Sequence, residues 1–259
     1  IMGLSVFAWL GAMAIGVSLG LLGSGGSILT VPVLVYLIGQ DEKLAIAGSL
    51  AIVGAIALAG SLPYLKKKQV DWRTVVLFGI PGMAGTYIGA WLATWVSGLV
   101  QLALFAVVML LASWQMLKPV VLDDSPHEPR EVWKIGLDGL LVGILTGLVG
   151  VGGGFLIVPA LVLLGGLSMH RAVATSLVII ALKSFTGFWK YLEVLDSQAI
   201  ILDWNVIAIV TALGVAGSFI GSRIAGRVDQ HKLRKVFGLF LIVMGIYILA
   251  RTLPAVWPF

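Results

Sequence analysis

Apolar residues run along this chain in long continuous blocks, without the alternating or one-sided patterns of a soluble fold. The blocks predict helical segments at 4–22, 27–39, 44–65, 72–95 and 98–117, then at 133–149, 154–167, 171–192, 204–226 and 232–253. Runs of roughly 20 apolar residues read as membrane-spanning helices. A membrane β-barrel needs alternating strands of about 10 residues instead. One long hydrophilic stretch interrupts the pattern, "KPVVLDDSPHEPREVWK", Lys118 to Lys134. It is polar and Pro-bearing, and it predicts a linker at 118–132 between two membrane halves, 1–117 and 133–259, of one integrated domain.

Composition strengthens this all-α, polytopic reading. Of 259 residues, 59% are hydrophobic and 11% charged, against about 25% charged in soluble domains. No soluble core hides that much apolar surface. The first apolar run leads directly into a glycine-rich break and reads as part of the fold, so no cleavable signal peptide is expected.

The halves are related. A shift of 127 residues lays Gly25-Gly26 on Gly152-Gly153, Val31-Pro32 on Val158-Pro159, Ser49-Leu50 on Ser176-Leu177 and Tyr64-Leu65 on Tyr191-Leu192. Further on, a shift of 132 lays Asp71-Trp72 on Asp203-Trp204 and "GMAGTYIGAWLA" on "GVAGSFIGSRIA". Shared Pro, Trp and Asp offsets argue against convergence of low-complexity sequence.

Loop charge then orients the halves. Between the third and fourth segments the first half carries Lys66, Lys67, Lys68 and Arg73, whereas the second carries Glu193, Asp196 and Asp203. Between the fourth and fifth the first half has no charge, and the second has Arg223, Arg227, Lys232, Arg234 and Lys235. Lys and Arg stay on the cytoplasmic face, so equivalent loops are expected on opposite faces. The repeats are predicted to be inverted, as in many secondary transporters. Both termini then lie outside, and the linker lies in the cytoplasm.

Each half carries a glycine-rich break, "GLLGSGGSILTVPVL" from Gly20 and "GLVGVGGGFLIVPAL" from Gly147. The 13 residues from Ser27 to Gly39, and from Gly154 to Gly166, span roughly 20 Å as helix, short of a bilayer core of about 30 Å. Pro32 and Pro159 weaken them further. The pattern predicts hairpins or broken helices whose tips lie inside the membrane and meet near the midplane. Irregular backbone survives there only when buried in protein or lining a wet cavity.

A helix restarting after a break presents unpaired N–H groups and its positive dipole end, a ready anion site. Two such ends are expected to face one small anion. The candidate substrate-binding residues at the tips are Gly23, Ser24, Gly25, Gly26 and Ser27 in the first half, and Gly150, Gly152, Gly153 and Gly154 in the second. Ser24 and Ser27 offer hydroxyls, whereas the second tip offers backbone alone. Glycines that merely permit close packing explain Gly85, Gly89, Gly217 and Gly221 better than they explain the tips.

Lys183 is the other outlier. It falls in an apolar segment where the first half has Ile56, nine residues from Leu192 and twelve from Arg171. Snorkelling to either interface is strained at that depth, and a cation in lipid costs at least about 2.5 kcal/mol. A substrate anion is one partner; outer-side water or a carboxylate such as Asp138 is the alternative. Thr175 and Ser176 share its helix, and Ser49 is the mate of Ser176. Their hydroxyls either bind an oxyanion or bond back to their own helix. Trp72, Trp133 and Trp204 begin segments, at interface positions.

The absence of cysteine excludes thiolate chemistry and Cys-ligated metal. The three histidines, His127, His170 and His231, are scattered. No metal or other cofactor is expected, no enzymatic constellation is visible, and the net charge of +5 does not form the solvated face that nucleic acid needs. The expected partners are a small anion and membrane lipid; homo-oligomerisation stays open.

Together, "GLLGSGGSILTVPVL", "GLVGVGGGFLIVPALVLLGG", "AVATSLV" from Ala172 and "GSFIGSRIA" from Gly217 make the chain resemble the sulfite exporter TauE/SafE family of membrane permeases, over nearly its whole length. The resemblance implies transport of sulfur-containing anions such as sulfite or sulfonates across the prokaryotic inner membrane, with export as the expected direction. Ser27 stands where the second half has Gly154, which leaves room for a different substrate. The alternatives are an anion-selective channel, or a permease for another small oxyanion or a carboxylate.

Overall fold

The long apolar blocks fold as helices, because only a helix satisfies its own backbone in lipid. The computed structural model describes residues 6–117, 131–163, 167–225 and 227–256. Among the described residues the regular structure is helical throughout, with no strand. The linker lies outside them except for 131–132.

The first half contains α1 (Val6–Leu22), a 3₁₀ stretch Gly23–Leu29, α2 (Thr30–Pro32), a π-turn stretch Val33–Leu37, α3 (Glu42–Lys66), α4 (Trp72–Thr74), a second π stretch Val75–Gly79, α5 (Ile80–Leu92) and α6 (Gly98–Leu117). The second contains α7 (Val132–Val149), α8 (Gly154–Leu163), α9 (Met169–Ser197), α10 (Trp204–Ala225) and α11 (Gln230–Val256). Five helices are long and apolar enough to cross a membrane: Glu42–Lys66, Trp72–Leu92, Arg171–Ser197, Trp204–Ile224 and Lys235–Pro254. This is a polytopic membrane protein. Its outer surface is apolar, with Val236, Leu239, Val243 and Ile246 of α11 all more than half exposed. Trp72, Trp133 and Trp204 are also exposed, at helix starts.

Helix pairing crosses between the halves. α1 lies along α10, and α5 lies along α7. Small residues make these approaches possible. A Cβ on Gly85 would strike the Leu140 carbonyl, and one on Gly89 the Ile144 carbonyl. A Cβ on Gly217 would meet the Met13 carbonyl at 2.7 Å, and one on Gly221 the Val17 carbonyl. Residues 13, 17, 85 and 89 become 140, 144, 217 and 221 under the sequence offsets of 127 and 132, so the two interfaces use equivalent positions. Centrally, α3 packs on α9, and their buried faces, including Ile52, Val53, Ile56, Ile179 and Ile180, form the core.

Two expectations about segments are corrected. The first break does not end in an open turn with a fresh helix start at Ser27. It winds as a 3₁₀ helix over Gly23–Leu29 and doubles back, so that a Cβ on Gly11 would touch Leu37 Cδ1 at 2.7 Å. Gly26 allows this, since a Cβ there would collide with the backbone of Ser18 and Leu19. The segment predicted to end at Leu192 continues as helix to Ser197, because "EVLDS" contains no helix breaker.

Candidate functional site

The second break is built differently from the first. α7 ends on Gly150 in the left-handed region, with φ of 75°. Residues 151–153 are non-helical, Gly153 has φ of 70°, and α8 starts at Gly154. Positive φ suits glycine and strains other residues. The fresh helix start expected after a break therefore belongs to this tip, whereas the first tip winds through its glycines as a 3₁₀ helix with i→i+3 partners of its own.

The two tips meet. A Cβ on Gly152 would lie 3.5 Å from Ser27 Cβ, 2.6 Å from Val53 Cγ1 and 3.0 Å from Ile180 Cγ2. Val53 and Ile180 are equivalent residues of the two halves, so Gly152 sits between the two central helices. The Ser49 hydroxyl, fully buried on α3, donates to the Gly150 carbonyl, and it also lies 2.7 Å from the Ile46 carbonyl. It thereby ties the second tip to the first half.

Lys183 lies at this tip and does not snorkel. It is fully buried midway along α9. Its ammonium donates to Thr146 Oγ1 at 3.2 Å, and a Cβ on Gly153 would lie 3.5 Å from its Nζ. Thr146 in turn donates to the Val142 carbonyl at 2.7 Å. No ion pair of Lys183 occurs among the described residues. The site thus combines a buried lysine amine, a helix N-terminus and glycine backbone, an arrangement suited to negative charge.

The remaining candidates fall as follows. Gly23, Ser24 and Gly25 lie in the 3₁₀ stretch; the Ser24 side chain is outside the described residues. Ser27 is buried beside Gly152. Thr175 is two turns from Lys183, and its hydroxyl accepts the Asp71 backbone N–H at 3.0 Å, so it anchors the start of α4. The Ser176 hydroxyl bonds back to the Val173 carbonyl at 2.9 Å. The structure therefore brings Ser27, Ser49, Gly150, Gly152, Gly153 and Lys183 together, and leaves Thr175 elsewhere.

Sequence reasoning missed Thr146 and a buried polar cluster nearby. Gln101 Nε2 donates to the Leu148 carbonyl at 2.6 Å and to the Tyr191 hydroxyl at 2.8 Å. The repeat alignment did pair Tyr191 with Tyr64. Gln101, a lone amide entering an apolar run, was the overlooked signal.

The comparison with known families settles the class. The model of the sulfite exporter TauE/SafE family matches residues 8–248. The chain belongs to that family. Among its relatives, a probable membrane transporter protein of Xylella fastidiosa is 31% identical over 247 residues, covering 92% of each chain. Others named as probable membrane transporter proteins are 27% identical in Methanocaldococcus jannaschii, covering 91% of this chain and 93% of the relative, and 28% identical in Bacillus subtilis, covering 88% and 89%. No solved structure matches this chain. This member of the TauE/SafE family is a membrane transporter, not an enzyme, and its buried lysine and glycine tips are to be read in that light.

Proposed function

We propose that this TauE/SafE protein is a secondary transporter that carries a small sulfur-containing anion, such as sulfite or a sulfonate, across the prokaryotic inner membrane by alternating access. Export is the direction the family name favours. One observation carries this reading: Lys183 is wholly buried beside the second glycine tip, with a neutral hydroxyl as its partner. A buried cation costs about 2.5–3.5 kcal/mol in mid-membrane, and such residues mark substrate pathways. An anion seated between Lys183, the α8 N-terminus and the Ser27 side would offset that cost. The two halves act as inverted repeats in this reading, 1–117 and 133–259, with the linker in the cytoplasm and both termini outside. The equivalent glycine contacts of α1 with α10 and α5 with α7 support it, because alternating access needs two interchangeable interfaces.

The test is flux of labelled sulfite, sulfonates and simple inorganic anions through purified protein in vesicles. Saturable exchange is expected. Single-channel currents would instead indicate a channel, and a preference for a carboxylate would move the substrate class.

A further inference from the structure

A cavity of about 170 Å³ lies between α1, α3, α9 and α10. It runs from Ile56, fully buried at mid-helix, past Tyr64 to the exposed Lys67 at the end of α3. Those ends are eleven residues apart, or roughly 16 Å along a helix. Its volume far exceeds the ~10–15 Å³ that admits one water. Ser218 and Ser222 add hydroxyls to its wall.

The repeat offsets locate its counterpart in the other half. Ile56 maps to Lys183, Gly60 to Gly187, Tyr64 to Tyr191, Leu177 to Leu50 and Ser218 to Thr86. The counterpart is filled. A Cβ on Gly187 would meet Thr86 Cγ2 at 2.6 Å and Leu50 Cδ1 at 3.2 Å, whereas one on Gly60 meets only Leu177 Cδ1, at 3.9 Å. Tyr191 is fully buried and bonded to Gln101, whereas Tyr64 is half-buried on the cavity wall. The residue equivalent to Gln101 is Leu233, which has no amide to offer. The same architecture is thus open on one side and sealed on the other.

We infer that the cavity beneath Tyr64 is a substrate vestibule for a small oxyanion, with the Lys67 ammonium at its mouth, and that Gln101, Tyr191 and the Leu148 carbonyl seal the matching vestibule on the opposite face. This rests on the transport reading and deepens it. By the positive-inside rule the Lys66–Lys68 end is cytoplasmic, so the open vestibule faces inward. The seal is held by an amide shared between a hydroxyl and a carbonyl, a small polar cluster whose loss frees both partners.

The chain has no cysteine, so single-cysteine variants report cleanly. Ser218→Cys and Thr86→Cys are treated with two thiosulfonate reagents, one bearing a sulfonate and one a trimethylammonium group, and labelling is followed by mass spectrometry. Ser218→Cys is expected to react, about tenfold faster with the anionic reagent relative to a free thiol, a preference equal to about 1.4 kcal/mol. Thr86→Cys is expected to stay unlabelled until Gln101→Leu, which copies the other half, is added. An inert Ser218→Cys, a preference for the cationic reagent, or Thr86→Cys labelling as fast as Ser218→Cys without the second change would overturn the inference. Flux with an inert Ser218→Cys removes the vestibule alone. Vesicles that move no anion remove the transport reading, whatever the labelling shows.

Discussion

Lys183 Nζ lies 3.2 Å from Thr146 Oγ1, and both side chains are buried at the point where α7 gives way to the second glycine tip. One neutral hydroxyl is poor compensation for a desolvated ammonium. In the transport reading proposed above, the pair receives the charge of the anion instead of holding the fold.

Replacing Lys183 by Met should raise stability while weakening function. Removing a cation that costs about 2.5–3.5 kcal/mol in mid-membrane is expected to raise the thermal midpoint in detergent. Anion binding, followed by calorimetry, should weaken by tenfold or more, equal to at least about 1.4 kcal/mol. A lysine with a purely structural role would give a lower midpoint.

Gly152→Leu should abolish flux in a protein that still reaches the membrane. A Cβ there already crowds Val53 and Ile180, beside Ser27. A leucine would wedge the tips apart. Size-exclusion profile and vesicle flux measure the two outcomes separately. Gly153→Ala is milder: left-handed backbone costs a non-glycine residue about 1–3 kcal/mol, and its methyl would press on Thr146 Oγ1 at 2.5 Å.

Gly85→Val and Gly217→Val should destabilise by similar amounts. Each puts side-chain atoms against a backbone carbonyl of the partner helix, and overpacking costs about 1–3 kcal/mol or more. Thermal unfolding of the two variants compares the α5–α7 and α1–α10 interfaces. A large loss for one and none for the other would contradict their equivalence.

Thr175→Val should cost about 1 kcal/mol of stability through the lost Asp71 N–H bond. Anion affinity should not change, since Thr175 stands away from Lys183. Calorimetry on this variant separates an anchoring hydroxyl from a binding one.

Much of this architecture was legible in the chain. Continuous apolar runs marked the helices, and α6 starts and ends where its run does, at Gly98 and Leu117. A charge at the middle of an apolar segment, far from either end, pointed to Lys183. Local composition could not reveal that two similar glycine motifs fold differently. Gly26 packs on Ser18 and Leu19 in a tight 3₁₀ turn, while Gly150 and Gly153 turn left-handed. That difference depends on neighbours distant in sequence, such as Ile46 and Ser49 against Gly150. Thr175 looked like a site residue because it shares a helix with Lys183; its bond to Asp71 spans 104 positions and leaves no local trace.

The most direct measurement is labelled sulfite entry into vesicles holding the unaltered protein or Lys183→Met, at matched protein content. The account predicts saturable entry in the first, and entry close to protein-free vesicles in the second. Equal entry through both would contradict the claim that the buried lysine and the glycine tip together hold the anion.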